Sequence, residues 1–249
     1  VTADRTPGVA AASAGWQDYP LADLAAGNPA WVRVLDRYGL DYCCRGERTL
    51  AAACAQAGLD VEAVAAELAA TEREEPASTG DDPGWTRLDA VALARHIVDT
   101  HHRYLDAELE PLQDLAAKVR EVHGERHPEL ASIAAVLTAL REDLVPHLRK
   151  EERILFPAIE AAAAGRREFP FGPIGNPIRV MRAEHDRAGD LLAELRRLSG
   201  GYRVPDDACA SYRSLYARLE QLEHDTHLHI LKENHRLFPL AEALTAGPG

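Results

Sequence analysis

The sequence predicts an all-α protein, an antiparallel four-helix bundle preceded by a small helical module. Three observations carry that prediction. Of the 249 residues 46% are hydrophobic but only 6% aromatic. Ala and Leu dominate the apolar set, and with Glu and Arg they are strong helix formers. From Leu88 onward, apolar residues return at steps of three and four through four long stretches. Finally, His147-x-x-x-Glu151 leading into Leu155-Phe156-Pro157 recurs 82 residues later as His229-x-x-x-Glu233 leading into Leu237-Phe238-Pro239.

In chain order, residues 1–17 read as a flexible tail. Residues 18–71 read as the small module, with Leu21 and Leu24, then Trp31, Val32, Val34, Leu35 and Tyr38 before a Gly39 stop. An Ala-rich helix is expected from Glu47 to Gln56; Gly58 breaks it, and Asp60 caps a further helix from Val61 to Ala70. The charged, Pro- and Gly-containing stretch 72–84 reads as a linker. Residues 85–245 hold the bundle, with helices expected over 88–123, 129–164, 178–198 and 206–244. The loop 165–177 and the turn around Gly200-Gly201 separate them, and such connections favour antiparallel neighbours. Pro146 is expected to bend the second helix, and Pro157 and Pro239 to disturb the hydrogen-bond ladder near their helix ends.

Composition excludes several classes of function. The net charge is −12 with no run of Lys or Arg, which argues against nucleic acid and anionic membrane surfaces as partners. No apolar stretch approaches the roughly 20 residues that span a bilayer. Residues 1–16 lack the continuous apolar segment of a signal peptide. Cysteines at 43, 44, 54 and 209 form neither a disulfide framework nor a Cys-x-x-Cys pattern, so a reducing, cytoplasmic setting is expected.

Periodicity selects six residues. His102 falls on the inward stripe of the first bundle helix with Val98, Leu105, Leu109 and Leu112. His147 and Glu151 fall on the second with Leu137, Leu140, Leu144 and Leu155. The third stripe runs Ile178, Met181, His185, Ala188, Leu192 and Leu195, and the fourth runs Tyr212, Leu215, Leu219, Leu222, Thr226, His229, Glu233 and Leu237. A His and a Glu four apart share one helix face, about 6 Å apart along the axis. Carboxylates on an apolar seam cost several kcal/mol unless compensated. The bland alternative is a metal-free His–Glu hydrogen bond in each half, but duplication in register, with two more seam histidines, favours a metal pair. Four imidazoles and two carboxylates, with no thiolate, suit first-row ions such as iron with bridging carboxylates and open coordination positions. His101 and His227 lie beside ligands as rivals or supporting partners.

The other distinctive phrase is Asp41-Tyr42-Cys43-Cys44-Arg45-Gly46-Glu47-Arg48-Thr49-Leu50. Cys43 and Cys44 are expected to be thiols whose pKa the following helix N-terminus lowers, while Cys54 and Cys209 are expected to be structural. Taken with the helical N-terminal module and the duplicated His-x-x-x-Glu…Leu-Phe-Pro bundle, this phrase resembles the repair-of-iron-centres (RIC) family over Tyr19 to about Leu244. The resemblance departs at Arg45, where the family pattern has Gly.

The resemblance implies a hemerythrin-like bundle with a non-haem di-iron centre, oxo- and carboxylate-bridged, ligated by His102, His147, Glu151, His185, His229 and Glu233. It implies repair of iron–sulfur clusters after oxidative or nitrosative damage, by iron donation, nitric oxide removal of reductase type, or both. Damaged iron–sulfur proteins and small ligands such as nitric oxide or oxygen are then the partners, and a homodimer is admitted. The competing reading is a hemerythrin-like oxygen or nitric oxide binding or sensing protein, against which the Cys-Cys module argues.

Overall fold

A computed structural model of the chain describes residues 15–74 and 83–246. The expected tail, apart from residues 15–17, and most of the expected linker lie outside the described residues; α4 itself reaches Glu74. The chain divides into two compact units between Leu88 and Asp89.

The first unit contains α1 (Leu21–Gly27), α2 (Pro29–Arg37), α3 (Leu50–Ala57) and α4 (Val61–Glu74). Asn28 caps α2 by accepting from Ala30 N–H, and Thr49 caps α3 by accepting from Ala52 N–H. Gly39 and Gly58 adopt the left-handed conformation that ends α2 and α3. Leu24, Val32, Leu35, Leu50, Val64 and Leu68 are completely inaccessible to solvent, and Trp31 Nε1–H donates to Leu68 O. α3 starts at Leu50, later than the expected Glu47. The preceding residues instead make a turn, in which Gly46 O and Arg48 O accept from the first N–H groups of α1.

The second unit is a bundle of four rods. The first joins α5 (Ala90–Ile97) to α6 (Arg103–His123), and the second joins α7 (Glu129–Lys150) to α8 (Phe156–Ala163). α9 (Gly175–Leu198) is the third, and α10 (Ala210–Lys232) with α11 (Phe238–Thr245) makes the fourth. α6 packs on α7, α7 on α9, α9 on α10, and α10 back on α6. The buried residues of α9 are Ile178, Met181, His185, Ala188, Leu192 and Leu195, one continuous stripe. Among the described residues, no helix is long and apolar enough to cross a membrane.

Three rods are interrupted by a single π-helical turn, at Val98–His102, Glu151–Leu155 and Glu233–Leu237. In each, the residue after the turn donates five residues back: Arg103 to Val98 O, Phe156 to Glu151 O, and Phe238 to Glu233 O. Pro157 and Pro239 follow two of these turns. A proline has no N–H to give and its ring crowds the carbonyl four residues earlier, so a wider turn relieves both problems. No proline accompanies the first turn. α7 runs through Pro146 as regular helix, and the departure from α geometry begins only at Glu151.

These turns correct the expected register of the first rod. α5 buries Ala90, Leu93, Ala94 and Ile97, whereas Val91 and Val98 are only half-buried. The extra residue of the π turn shifts the phase by about 100°, so the core position preceding His102 is Ile97. Two boundaries also move. α9 begins at Gly175 rather than Ile178, and α10 at Ala210 rather than Asp206, with Cys209 as its extended N-cap.

Candidate metal centre

Because neighbouring rods run in opposite directions, the N-terminal parts of α6 and α9 meet the C-terminal ends of α7 and α10. His102, His147, Glu151, His185, His229 and Glu233 converge there, each no more than 2% exposed. Glu151 Oε1 lies 3.2 Å from His147 Nε2 and 4.0 Å from His185 Nε2. Its other oxygen, Oε2, lies 3.4 Å from His102 Nε2 and 3.7 Å from His229 Nε2. Glu233 Oε2 lies 3.1 Å from His185 Nε2 and 3.3 Å from His229 Nε2. Two groups of four possible ligands result, His102/Glu151/His229/Glu233 and His147/Glu151/His185/Glu233, and both contain both glutamates.

The donor set fits metal ions. Both oxygens of Glu151 and of Glu233, with His102 Nε2 and His229 Nε2, are buried without a hydrogen-bond partner. Buried polar atoms are nearly always satisfied, so such a concentration of orphans marks a place for a ligand. Bonds of about 2.0–2.2 Å to a shared ion would set donor atoms about 3 Å apart, close to these separations.

A surrounding layer holds the imidazoles in orientation. His102 Nδ1 is 2.8 Å from Glu152 Oε1, His147 Nδ1 is 3.0 Å from Glu184 Oε2, and His185 Nδ1 is 3.0 Å from Asn234 Oδ1. Such partners fix the tautomer and turn Nε2 toward a metal. Lys150 Nζ contacts the second oxygen of Glu184. His102 stacks on Phe156 with ring centroids 5.6 Å apart, and His185 on Phe238 at 5.8 Å, so the two Leu-Phe-Pro phrases floor the site.

The electrostatics are those of a tightly coupled ionic cluster. Burial opposes protonation of His147, but Glu151, Glu184 and Glu233 outweigh it and raise its pKa to about 9. Burial likewise opposes protonation of His229, and Glu233 and Glu151 raise it to about 10. Burial would raise the Glu151 pKa, yet His147, His102 and His229 hold it well below the usual range. Burial and Glu151 push Glu233 up, and His229 and His185 bring it down to a net lowering.

Sequence periodicity missed several participants. Glu152, Glu184 and Asn234 are immediate neighbours of seam residues and so read as off-seam; adjacency to a ligand was their only signal. His101, placed to one side by periodicity, is 3% exposed, with Nδ1 2.9 Å from Asp225 Oδ1 and Nε2 2.9 Å from Lys232 Nζ. Lys232 is fully buried and also reaches His96 Nε2 at 3.2 Å. His101 and Asn234 lie inside π turns, whose wider spacing brings the neighbour of a seam residue inward, whereas Lys232 belongs to a run buried without a break from Leu228 to Asn234. Neither His101 nor His227 belongs to the two ligand groups.

The thiols differ from expectation. Cys43 is 2% exposed and Cys44 half-buried, with their sulfurs 3.7 Å apart and no disulfide. The expected lowering of pKa does not occur at Cys43. The contact with Cys44, burial and the nearby Asp41 carboxylate all push that thiol well above its ordinary value. Cys54 is buried in the module core, whereas Cys209 is exposed, its sulfur 3.1 Å from His123 Nε2.

Comparison with known proteins gives a consistent result. The family model of the hemerythrin HHE cation binding domain matches residues 93–241, and that of ScdA_N, a domain of unknown function, matches residues 17–72. The chain is 33% identical over 228 residues to the iron-sulfur cluster repair protein YtfE of Cronobacter sakazakii. It is 34% identical over 228 residues to proteins of the same name from Citrobacter koseri and Escherichia coli. Each of these alignments spans 92% of this chain and 98% of the relative.

Proposed function

This chain belongs to the YtfE family of iron–sulfur cluster repair proteins, with a hemerythrin HHE bundle, and we propose that it restores damaged clusters through a di-iron centre held by His102, His147, Glu151, His185, His229 and Glu233. In this reading residues 85–245 form the iron-holding bundle and residues 18–71 the thiol-bearing module, joined through 72–84. Damaged iron–sulfur proteins are its clients, nitric oxide and oxygen its small ligands, and oxidative or nitrosative stress in the cytoplasm its setting.

The observation that carries the reading is the division of Glu151, one oxygen toward each histidine pair. With Glu233 common to both groups as well, two carboxylates would serve two ions, and each ion would receive two imidazoles. When bound, such an iron pair supplies open positions for small ligands and a pool of exchangeable metal. The chain's own residues determine how firmly it is held. Glu152, Glu184 and Asn234 accept from three of the four imidazoles and keep their Nε2 lone pairs directed inward. Two carboxylates compensate only part of the charge of two divalent ions, which favours release over permanent sequestration. Glu152, whose side chain is 42% exposed, connects His102 to a surface groove of about 330 Å³ that Asp99, Phe156 and Glu160 also line.

A transfer experiment tests the proposal. Protein loaded with iron-57 is incubated with an enzyme whose cluster has been damaged. Recovery of activity with label in the rebuilt cluster is expected; recovery without movement of label would reject iron donation and leave nitric oxide removal as the repair chemistry.

A further inference from the structure

We propose that Asp41, Cys43 and Cys44 form a second metal site, in the N-terminal unit, for a thiophilic divalent ion such as zinc(II). The inference stands apart from the iron reading and uses none of the bundle residues.

The geometry points to a shared ion. The two sulfurs lie 3.7 Å apart, and Cys43 Sγ lies 3.5 Å from Asp41 Oδ1. Around a tetrahedral ion, metal–sulfur bonds of about 2.3 Å and metal–oxygen bonds of about 2.0 Å place two sulfurs about 3.8 Å apart, and a sulfur and an oxygen about 3.5 Å apart. The sulfur–sulfur and Cys43–Asp41 separations match those edges as they stand, and the ligand atoms of all three groups lie within 4.8 Å of one another.

The loop is built to hold them there. Tyr42 is 1% exposed and its hydroxyl donates to Asp36 Oδ1, which anchors the residue between Asp41 and Cys43. Asp41 Oδ1 accepts from Cys44 N–H at 2.9 Å and Arg45 N–H at 3.3 Å, fixing the carboxylate beside the thiols. Gly46 O and Arg48 O are tied to α1, and Thr49 caps α3, so the C-terminal flank is fixed as well. Arg45 Nε lies 4.0 Å from Asp41 Oδ2 and does not block Oδ1.

Chemistry favours a ligand over a nucleophile. Cys43 is buried, presses on a second thiol and lies beside a carboxylate, surroundings that disfavour a free thiolate. A metal ion reverses that, because coordination deprotonates a thiol outright. The bond change is balanced: two metal–sulfur bonds form, two S–H bonds break, and two protons leave to solvent. Asp41 is exposed and Cys44 half-buried, which leaves the ion's fourth position to water or an incoming ligand.

The test uses the full-length, iron-loaded protein titrated anaerobically with zinc(II). Metal analysis should give one zinc per chain beyond the iron. X-ray absorption at the zinc edge should show two sulfur neighbours at about 2.3 Å, with proton release on binding. Cys44→Ser, the milder change at a half-buried position, should weaken zinc binding at least about tenfold, as should Asp41→Asn, with iron content unchanged in both. Cys209→Ser should leave zinc binding as it was. A zinc shell of only nitrogen and oxygen would overturn the proposal, as would a sulfur shell that survives in Cys43→Ser/Cys44→Ser. Iron content, read in the same samples, reports on the bundle separately.

Discussion

Glu151 turns one carboxylate oxygen toward His147 and His185 and the other toward His102 and His229; it therefore faces every imidazole of the centre. Glu151→Ala is expected to lose most of the iron from both positions, whereas His101→Ala, outside both ligand groups, should retain it; equal loss on metal analysis would count against the assignment. Glu184, which accepts from His147 Nδ1 without reaching the centre, acts through that ring, and Glu184→Ala should weaken iron binding by about 10- to 100-fold in a chelator competition. The same residues set a pH dependence in the iron-free protein. His147 and His229 have folded pKa values of about 9 and about 10, above the ordinary 6.5. Their stabilisation is complete below 6.5 and is lost as pH rises through the folded values. Glu151 and Glu233 are held below the ordinary 4.5, so their stabilisation is present above that value and fades as pH falls. The iron-free protein should thus melt at progressively lower temperature between pH 7 and pH 10. The iron-loaded protein, whose coordinated imidazoles carry no such proton, should lack that alkaline decline.

At the scale of elements, the three π turns govern which side chains enter the centre. In each, an iron-binding candidate stands at an end of the turn: His102 at the last position, Glu151 and Glu233 at the first. The widened turn also delivers Phe156 and Phe238 against histidine rings. Phe238 is completely buried, lies parallel to the His185 ring and is covered by the Arg182 guanidinium at 5.5 Å from its centroid. Phe238→Ala should cost about 3–5 kcal/mol in denaturant unfolding, the usual cost of removing a buried ring. It should also loosen His185 and so lower iron retention; a destabilised variant with undiminished iron affinity would show that α11 docks without ordering the ligand.

For the whole molecule, two compact units with separate cores predict separate responses to metal. Iron that binds only the folded bundle stabilises it by mass action, about 2.7 kcal/mol at a free concentration a hundredfold above Kd. Removing it should raise hydrogen exchange in α6, α7, α9 and α10 and leave α2, α3 and α4 unchanged. Exchange that rose equally in both units would mean that they unfold together.

The four rods and the buried stripes of α9 and α10 were legible in the sequence because helical periodicity repeats identity at fixed steps, and burial follows face. The six residues that meet at the centre stood out for the same reason: duplication in register marks two equivalent faces. Periodicity failed where the helix itself changed. Each π turn adds a residue per turn, so Ile97 replaced Val98 in the core, and His101 and Asn234 turned inward against a regular count. The thiol of Cys43 was misjudged because sequence gives proximity to a helix start but not burial. Chain order alone determined the four rods, the inward faces of α9 and α10 and the kind of atoms available for metal. Only the packed structure decided which oxygen of Glu151 faces which histidine pair, and which neighbours orient each ring, because those are distances between side chains far apart along the chain.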